Sequence, residues 1–379
     1  MLKILVLLPT SASSRPEAIG GGYVRFNKIV NILSTHFEIH YIHFYTKYEM
    51  KSSVMGILAS LLYCTYQFFR YFRKKRMDAI LVVNESFIEI LLAYYISKLF
   101  SLKRILFINA LPIIGSVGFS IKSKKWHVMY CFARMLLRKF IVVPLSPIFI
   151  NMLKGHDIPF VPIFPGVGCE KTIMETETKI IKLFDYVYVA SPACIEKGVL
   201  DLLKAMKIIT YNKPDAKLLI VGREDSSLLT VDELQRLVDQ LGLQDNVYIL
   251  MKRVVPRELV LNLLARGKVF LYPSRRDVYP LVIGEALSRG LPVITYDLPG
   301  IRYAYGECKA VVRVKSGDLE HFARKALKIV QDSSLLEELS KLAIECCERM
   351  DWRSVALREA RAYLLALSKI NTPKKSKIA

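Results

Sequence analysis

The stretch Tyr272-Pro-Ser-Arg-Arg-Asp-Val-Tyr-Pro-Leu-Val-Ile-Gly-Glu-Ala-Leu-Ser-Arg-Gly-Leu-Pro-Val-Ile-Thr-Tyr-Asp-Leu-Pro-Gly300 decides the fold. It reads as strand, loop, helix, strand, turn. Val269–Tyr272 is a short apolar run suited to a buried strand, and Pro273 and Ser274 end it. Leu281–Ser288 has helical spacing, with Leu281, Ala286 and Leu287 as its apolar positions. Gly290 stands where a left-handed helix C-cap is expected. Pro292–Thr295 is expected as the next strand, and Pro299-Gly300 as a turn. Asp277 falls in the loop, and Glu285, eight positions later, on the first turns of the helix. Both acids are thereby placed at the carboxyl ends of strands, in the crevice where open α/β sheets bind ligands.

Outward from this stretch, short apolar runs alternate with helical patterns on both sides. Strands are expected at Met1–Leu8, Phe37–Tyr45, Ala79–Val83, Arg104–Asn109 and Ile141–Pro144, with helices at Tyr23–Leu33, Met55–Phe72 and Phe87–Phe100. After a polar stretch, Glu170–Ile181, the alternation resumes. Strands are expected at Tyr186–Ala190, Lys217–Gly222 and Asn246–Leu250, with helices at Val231–Leu241 and Glu258–Leu264. Helices at Leu319–Val330, Leu335–Glu348 and Val355–Leu367 close the chain. Such alternation implies parallel, doubly wound sheets. The 379 residues suffice for two domains. The expected division is a Rossmann-like domain at 1–168, a linker at 169–184, a second Rossmann-like domain at 185–350, a C-terminal helix at 351–370 and a basic tail at 371–379.

The quoted stretch closely resembles the donor-sugar signature of the retaining GT-B glycosyltransferases of family four, the group 1 glycosyl transferases. That signature is Pro-Ser, a few residues, Glu, an aromatic and Pro, a second Glu eight residues after the first, and then Gly-x-Pro-Val; here Asp277 stands for the first Glu and Glu285 is the second. The resemblance implies that Glu285 hydrogen-bonds the nucleotide ribose and that Asp277 faces the sugar ring. Tyr279, Pro280 and Gly300 belong to the same donor-binding string. Lys197-Gly198 matches the Lys-Gly that precedes a helix and holds the donor diphosphate, so the resemblance makes Lys197 catalytic together with Asp277. The family's Arg five positions earlier is Pro192 here, and Arg223, Arg253 and Arg275 are candidates to replace its charge. Gly21 and Gly22, in a Gly-rich turn opening a helix, correspond to the family loop under the donor's sugar and phosphate; such a turn also suits phosphate binding on physical grounds. Phe164-Pro165-Gly166-Val167-Gly168 resembles the link that leaves the first domain, with Gly168 in place of an Asp. The C-terminal helix of the family crosses back onto the first domain. The His that many relatives carry after the fourth strand has no counterpart around Asn109.

Composition bounds the partners. The net charge is +21. Residues 1–180 hold 23 Lys+Arg against 10 Asp+Glu, a balance of +13, so the excess is concentrated in the first half. Such a charge attracts phosphates, whether of nucleotide sugars, anionic lipid or nucleic acid. Two basic helical regions stand out: Met55–Phe72, running into Arg73–Arg76, and Lys122–Phe140, where Trp126, Met129, Tyr130, Ala133, Leu136, Leu137 and Phe140 share one face. Each reads either as a helix with a solvated basic face or as one lying on an anionic membrane. No run approaches the roughly 18–20 apolar residues that span a bilayer, and Ile4–Leu8 is too short for a secretory core. The seven cysteines form no CxxC pair and are expected as free thiols of a reducing compartment. The six histidines show no metal-ligand spacing, and no Asp-x-Asp metal motif is present.

The resulting expectation is a two-domain GT-B enzyme. It would move a sugar from a nucleotide-diphosphate donor to a glycan or lipid-linked acceptor at the cytoplasmic face of a membrane, without a metal or other cofactor. The substitutions at Pro192, Gly168 and Asn109 also fit a donor-binding scaffold without turnover. The charge alone fits a nucleic-acid-binding protein, but no nucleic-acid motif or aromatic-basic stacking run accompanies it.

Overall fold

The computed structural model describes residues 1–9, 21–44, 53–72, 75–83, 87–108, 132, 134–170, 181–190, 195–223, 229–252 and 255–369. Contacts divide the chain into two units. One comprises Met1–Gly166 with the segment from Arg353 onward, and the other Val167–Trp352.

The first unit holds a five-stranded sheet in the order β2-β1-β3-β4-β5. Its strands are β1 (Leu2–Pro9), β2 (Phe37–Phe44), β3 (Ala79–Val82), β4 (Lys103–Ile108) and β5 (Ile141–Pro144), and every pairing is parallel. Ala79–Val82 is buried throughout, as a strand covered on both faces requires. The helix Gly21–Leu33 follows β1 and buries Tyr23, Phe26, Ile29 and Leu33 at helical spacing. The C-terminal helix, Trp352–Lys369, belongs to this unit from Arg353 onward. Its Glu359, 1% exposed, receives the buried Arg25 guanidinium at 2.5 Å and the Tyr363 hydroxyl. Arg25 Nε also donates to Gly166 O at 2.8 Å, and its guanidinium lies 4.3 Å from the Phe107 ring centroid. Two buried charges are thus matched to each other and to backbone, the condition under which ions tolerate an apolar interior.

Two local details differ from expectation. The helix expected at Met55–Phe72 is α-helical over Ser53–Gln67 and continues as a π-helical turn, Phe68–Phe72. A short helix, Ile150–Gly155, was not marked by any periodic run. Of the expected Lys122–Phe140 helix, only residues 132 and 134–140 are described; Leu136, Leu137 and Phe140 are buried, whereas Trp126 lies outside the described residues. Asn109 and the linker residues 171–180 also lie outside them.

The second unit holds a six-stranded parallel sheet in the order β11-β10-β9-β6-β7-β8. The strands are β6 (Phe184–Ala190), β7 (Leu218–Arg223), β8 (Val247–Lys252), β9 (Gly267–Tyr272), β10 (Val293–Tyr296) and β11 (Val311–Val314). The chain runs from β6 outward to β8, then returns to place β9 on the other side of β6. The order therefore reverses between β6 and β9, and this is the switch point at which doubly wound sheets open a crevice. Gly290 has φ +68°, as a left-handed C-cap requires.

Two expectations fail here. Pro299-Gly300 is not a free turn but the first turn of a helix, Pro299–Tyr305. Proline suits that position because the first helical N–H has no intrahelical partner to lose. The cysteines are not all free thiols: Cys169 pairs with Cys347 and Cys308 with Cys346. Cys346 and Cys347 are neighbours on one helix, so their side chains point to different partners, a relation that sequence spacing does not reveal. Cys64, in the first unit, is a buried free thiol.

Candidate functional site

The site is built at the carboxyl ends of β6 and β9. After β6 the chain makes a 3-10 turn, Ile195–Lys197, and enters the helix Val199–Asn212 through Gly198. Gly198 has φ +83°, and a Cβ there would lie 1.9 Å from the Pro273 carbonyl oxygen. Only glycine permits this conformation at this separation. After β9, the loop from Pro273 is tied to the same turn, since Arg275 N donates to Glu196 O at 3.0 Å. The loop closes on itself through Ser274 Oγ, which donates to Arg276 O at 3.0 Å, and through Val278 N, which donates to Asp277 Oδ1 at 2.9 Å.

This backbone arrangement brings Lys197 and Asp277, 80 positions apart, into one ion pair. Lys197 Nζ lies 2.5 Å from Asp277 Oδ2, and the Tyr272 hydroxyl donates to the same oxygen at 2.6 Å. Tyr188 Oη in turn donates to Lys197 O at 3.1 Å. Both side chains of the pair keep some solvent contact. An ammonium at the opening of a fourteen-residue helix adds to the partial positive charge of the helix end, so this corner of the sheet favours an anion.

Arg275 is placed differently. Its guanidinium grips Asp201 with two bonds, Nε to Oδ2 at 2.7 Å and Nη2 to Oδ1 at 2.9 Å. The buried Tyr296 hydroxyl donates to Asp201 Oδ2 at 2.9 Å. Burial and the Asp201 carboxylate together hold the Tyr296 phenol well above its ordinary pKa. Of the three arginines named as candidates to replace the charge missing at Pro192, Arg275 thus has its fork on Asp201. Arg223 ends β7. Arg253 and Pro192 lie outside the described residues.

Glu285 sits on the helix Leu281–Leu287. Its carboxylate receives Arg257 Nη1 at 2.5 Å. Arg257, which opens the helix Arg257–Ala265 after β8, escaped the sequence reading because an arginine at an exposed helix start looks like surface. Tyr279 packs edge-on against Tyr303 and Tyr305, with centroids 6.4 and 5.8 Å apart. Pro280 O accepts from the Tyr305 hydroxyl at 2.8 Å, and burial holds that phenol far above its usual pKa. Gly300 supports the loop from below: a Cβ there would meet Val278 O at 2.0 Å. Gly21 and Gly22 open the helix after β1, in the first unit. Among the described residues, no group of three or more His, Cys, Asp or Glu is placed to hold a metal ion.

Residues 182–345 match the family model of the glycosyl transferases group 1. An uncharacterized glycosyltransferase of Methanocaldococcus jannaschii is 36% identical over 102 residues, which are 27% of this chain and 23% of that protein. The chain spans less than half the length of the curated relatives it matches. Among solved structures, the sucrose-phosphate synthase of Thermosynechococcus elongatus superposes with a TM-score of 0.76 at 15% identity, covering 97% of this chain and 100% of that one. The HepE protein of Anabaena, in complex with UDP and glucose, superposes with a TM-score of 0.72 at 17% identity, covering 96% and 100%. Residues 182–345, whose sheet carries Lys197, Asp277 and Glu285 at its carboxyl edge, thus match the glycosyl transferases group 1 model, in a chain with the GT-B fold.

Proposed function

We propose that the chain is a retaining glycosyltransferase that moves a sugar from a nucleotide-diphosphate sugar to a glycan or lipid-linked acceptor. The observation that carries this reading is the Lys197–Asp277 pair at the switch point of the family-matching domain. In the reaction, the bond between the sugar's anomeric carbon and the phosphate oxygen breaks, and its electron pair leaves with the diphosphate. The acceptor oxygen bonds the same carbon, on the same face, and its proton passes to the departing phosphate. Lys197 and the start of the helix Val199–Asn212 stabilise the charge that develops there. Asp277, bracketed by Lys197 and Tyr272, orients the sugar hydroxyls. Glu285 binds the ribose, and Arg223 and Arg253 remain as candidates for the charge absent at Pro192. On this reading the residues themselves supply the charge compensation, without a metal.

The first experiment is calorimetric titration of UDP-, GDP- and ADP-sugars into the wild type and Glu285→Ala. Binding of one donor, weakened at least tenfold in the variant, is expected and names the base. An absence of binding to all three at high protein concentration sinks the reading, and binding without turnover leaves a donor-binding scaffold.

The acceptor side carries a finer proposal: peripheral docking on an anionic cytoplasmic leaflet. It is supported by the helix Ser53–Gln67 and its π-helical extension. Leu58, Leu62, Tyr66 and Phe69 recur at helical spacing and are all half or more exposed, Leu62 reaching 73%. Arg70 lies over both Tyr66 and Tyr71, and Lys75 and Arg76 follow, all exposed. An apolar stripe edged by cations matches the negative surface potential and acyl boundary of such a leaflet. Among the described residues no helix is long and apolar enough to cross a membrane. Wild type should sediment with vesicles containing phosphatidylglycerol and not with neutral ones, and Leu62→Glu with Phe69→Glu should abolish this. Equal sedimentation of the double variant would refute the proposed surface.

A further inference from the structure

We infer that Arg257 is the positioning residue of Glu285, steadied by Glu170, and that it thereby sets how well the site distinguishes a ribose from a sugar lacking its hydroxyls; this rests on the reading of Glu285 as the ribose-binding carboxylate. Arg257 lies between two acids. Its Nη1 is 2.5 Å from Glu285 Oε1, and its Nη2 is 3.7 Å from Glu170 Oε1. The guanidinium is planar, so a second carboxylate on one edge fixes the direction in which the other edge presents its N–H groups.

Local preference does not explain the residue. Arg257 opens a helix, where the positive end of the helix dipole disfavours a cation. What holds it there is the carboxylate pair, and the chain beside one of the two is cross-linked. Cys169 N donates to Met350 O at 2.6 Å, Cys169 is bonded to Cys347, and Cys347 Sγ lies 3.0 Å from Glu170 O. The backbone entering Glu170 is therefore tied down at Cys169, which limits how far its carboxylate can move from Arg257. Glu285, by contrast, rides on a helix of two turns. A glutamate side chain with three rotatable bonds has freedom that a bidentate match to a vicinal diol cannot tolerate. Arg257, paired with both acids, removes that freedom before the ligand arrives, which is how preorganisation converts a contact into affinity.

The test uses the nucleoside diphosphate that binds wild type, chosen from UDP, GDP and ADP, and its 2′,3′-dideoxy counterpart. Dissociation constants for both are measured on the full chain carrying Arg257→Ala, Arg257→Lys or Glu285→Ala. Wild type should prefer the ribose form by about tenfold or more, because the hydroxyls donate to a charged acceptor. In Arg257→Ala that ratio should fall to about twofold or less. Arg257→Lys keeps the charge without the fork and should fall between the two, which provides the reading if the alanine variant does not fold. A merely structural role would weaken both nucleotides equally and leave the ratio unchanged, and an unchanged ratio in folded Arg257→Ala or Arg257→Lys overturns the inference. Glu285→Ala separates the two levels. If it too retains the ratio, the ribose reading of Glu285 fails; if it loses the ratio while the Arg257 variants retain it, only the role of Arg257 fails.

Discussion

Two ion pairs leave the same loop two residues apart, and they are built to opposite specifications. Arg275 reaches Asp201 with two bonds, and Tyr296 completes the carboxylate from below. Asp201 is only 6% exposed, so its charge is spent entirely within the protein. Asp277 reaches Lys197 through a single oxygen, and both partners remain partly open, at 13% and 28%. A forked guanidinium on a buried acid makes a tie whose exchange for water or ligand is costly. An ammonium on a flexible stem, facing a partly solvated acid, makes a pair that can release either partner to a third group. The first pair fastens the loop to the helix Val199–Asn212. The second holds a cation and an anion ready where that fastening has placed them.

The difference is sharpest in activity. Lys197→Ala should lower kcat for glycosyl transfer by about a hundred- to a thousandfold, the scale on which removal of one preorganised charge-stabilising group acts. Asp277→Asn should lower it comparably, since Asp277 holds Lys197 and, in the proposed function, faces the sugar. Neither change should shift the urea midpoint appreciably, because both side chains can turn to water. Steady-state kinetics beside a denaturation curve decides the matter. A variant that loses stability but keeps kcat would place Lys197 and Asp277 in the same class as Arg275.

That contrast also marks what could be read in the chain. The strand and helix periods from Val269 to Thr295 were legible because buried parallel strands are continuous apolar runs, and Gly290 announces a helix end. Asp277, Glu285 and Lys197 were legible as members of a string of fixed spacing. Their partners were not. Nothing local tells that Arg275 turns to Asp201, 74 positions away, while Lys197 turns to Asp277. Arg257 was invisible for the same reason, since its meaning lies in acids at 170 and 285. Pro299-Gly300 was read as a turn because proline and glycine punctuate loops. Here the proline begins a helix, and the glycine is demanded by the approach of Val278 O rather than by its own dihedral angles. Val311–Val314 is a four-residue edge strand, too short to show a period. Sequence reports what each residue does to its own backbone. Pairings across tens of residues need the sheet order first.

A smaller effect sharpens the comparison on the structural side. Asp201→Ala should destabilise the second unit by about 2–3 kcal/mol, because it leaves a buried phenol and a guanidinium without their shared acceptor. The same chemistry recurs at the surface. Arg302 grips Asp297 with two bonds, at 3.1 and 2.6 Å, but Asp297 is 34% and Arg302 61% exposed. Water replaces those bonds at little cost, so Arg302→Ala should lose about 0.5 kcal/mol or less. Urea denaturation of both variants, at equal ionic strength, measures the gap. If the two substitutions cost the same, burial of the acid is not what makes the Arg275 tie permanent, and the distinction between the two pairs of the loop would have to rest on ligand geometry alone. If Asp201→Ala costs several times more while retaining the kcat of the folded fraction within a few-fold, the loop has one pair that holds it in place and another left available for chemistry.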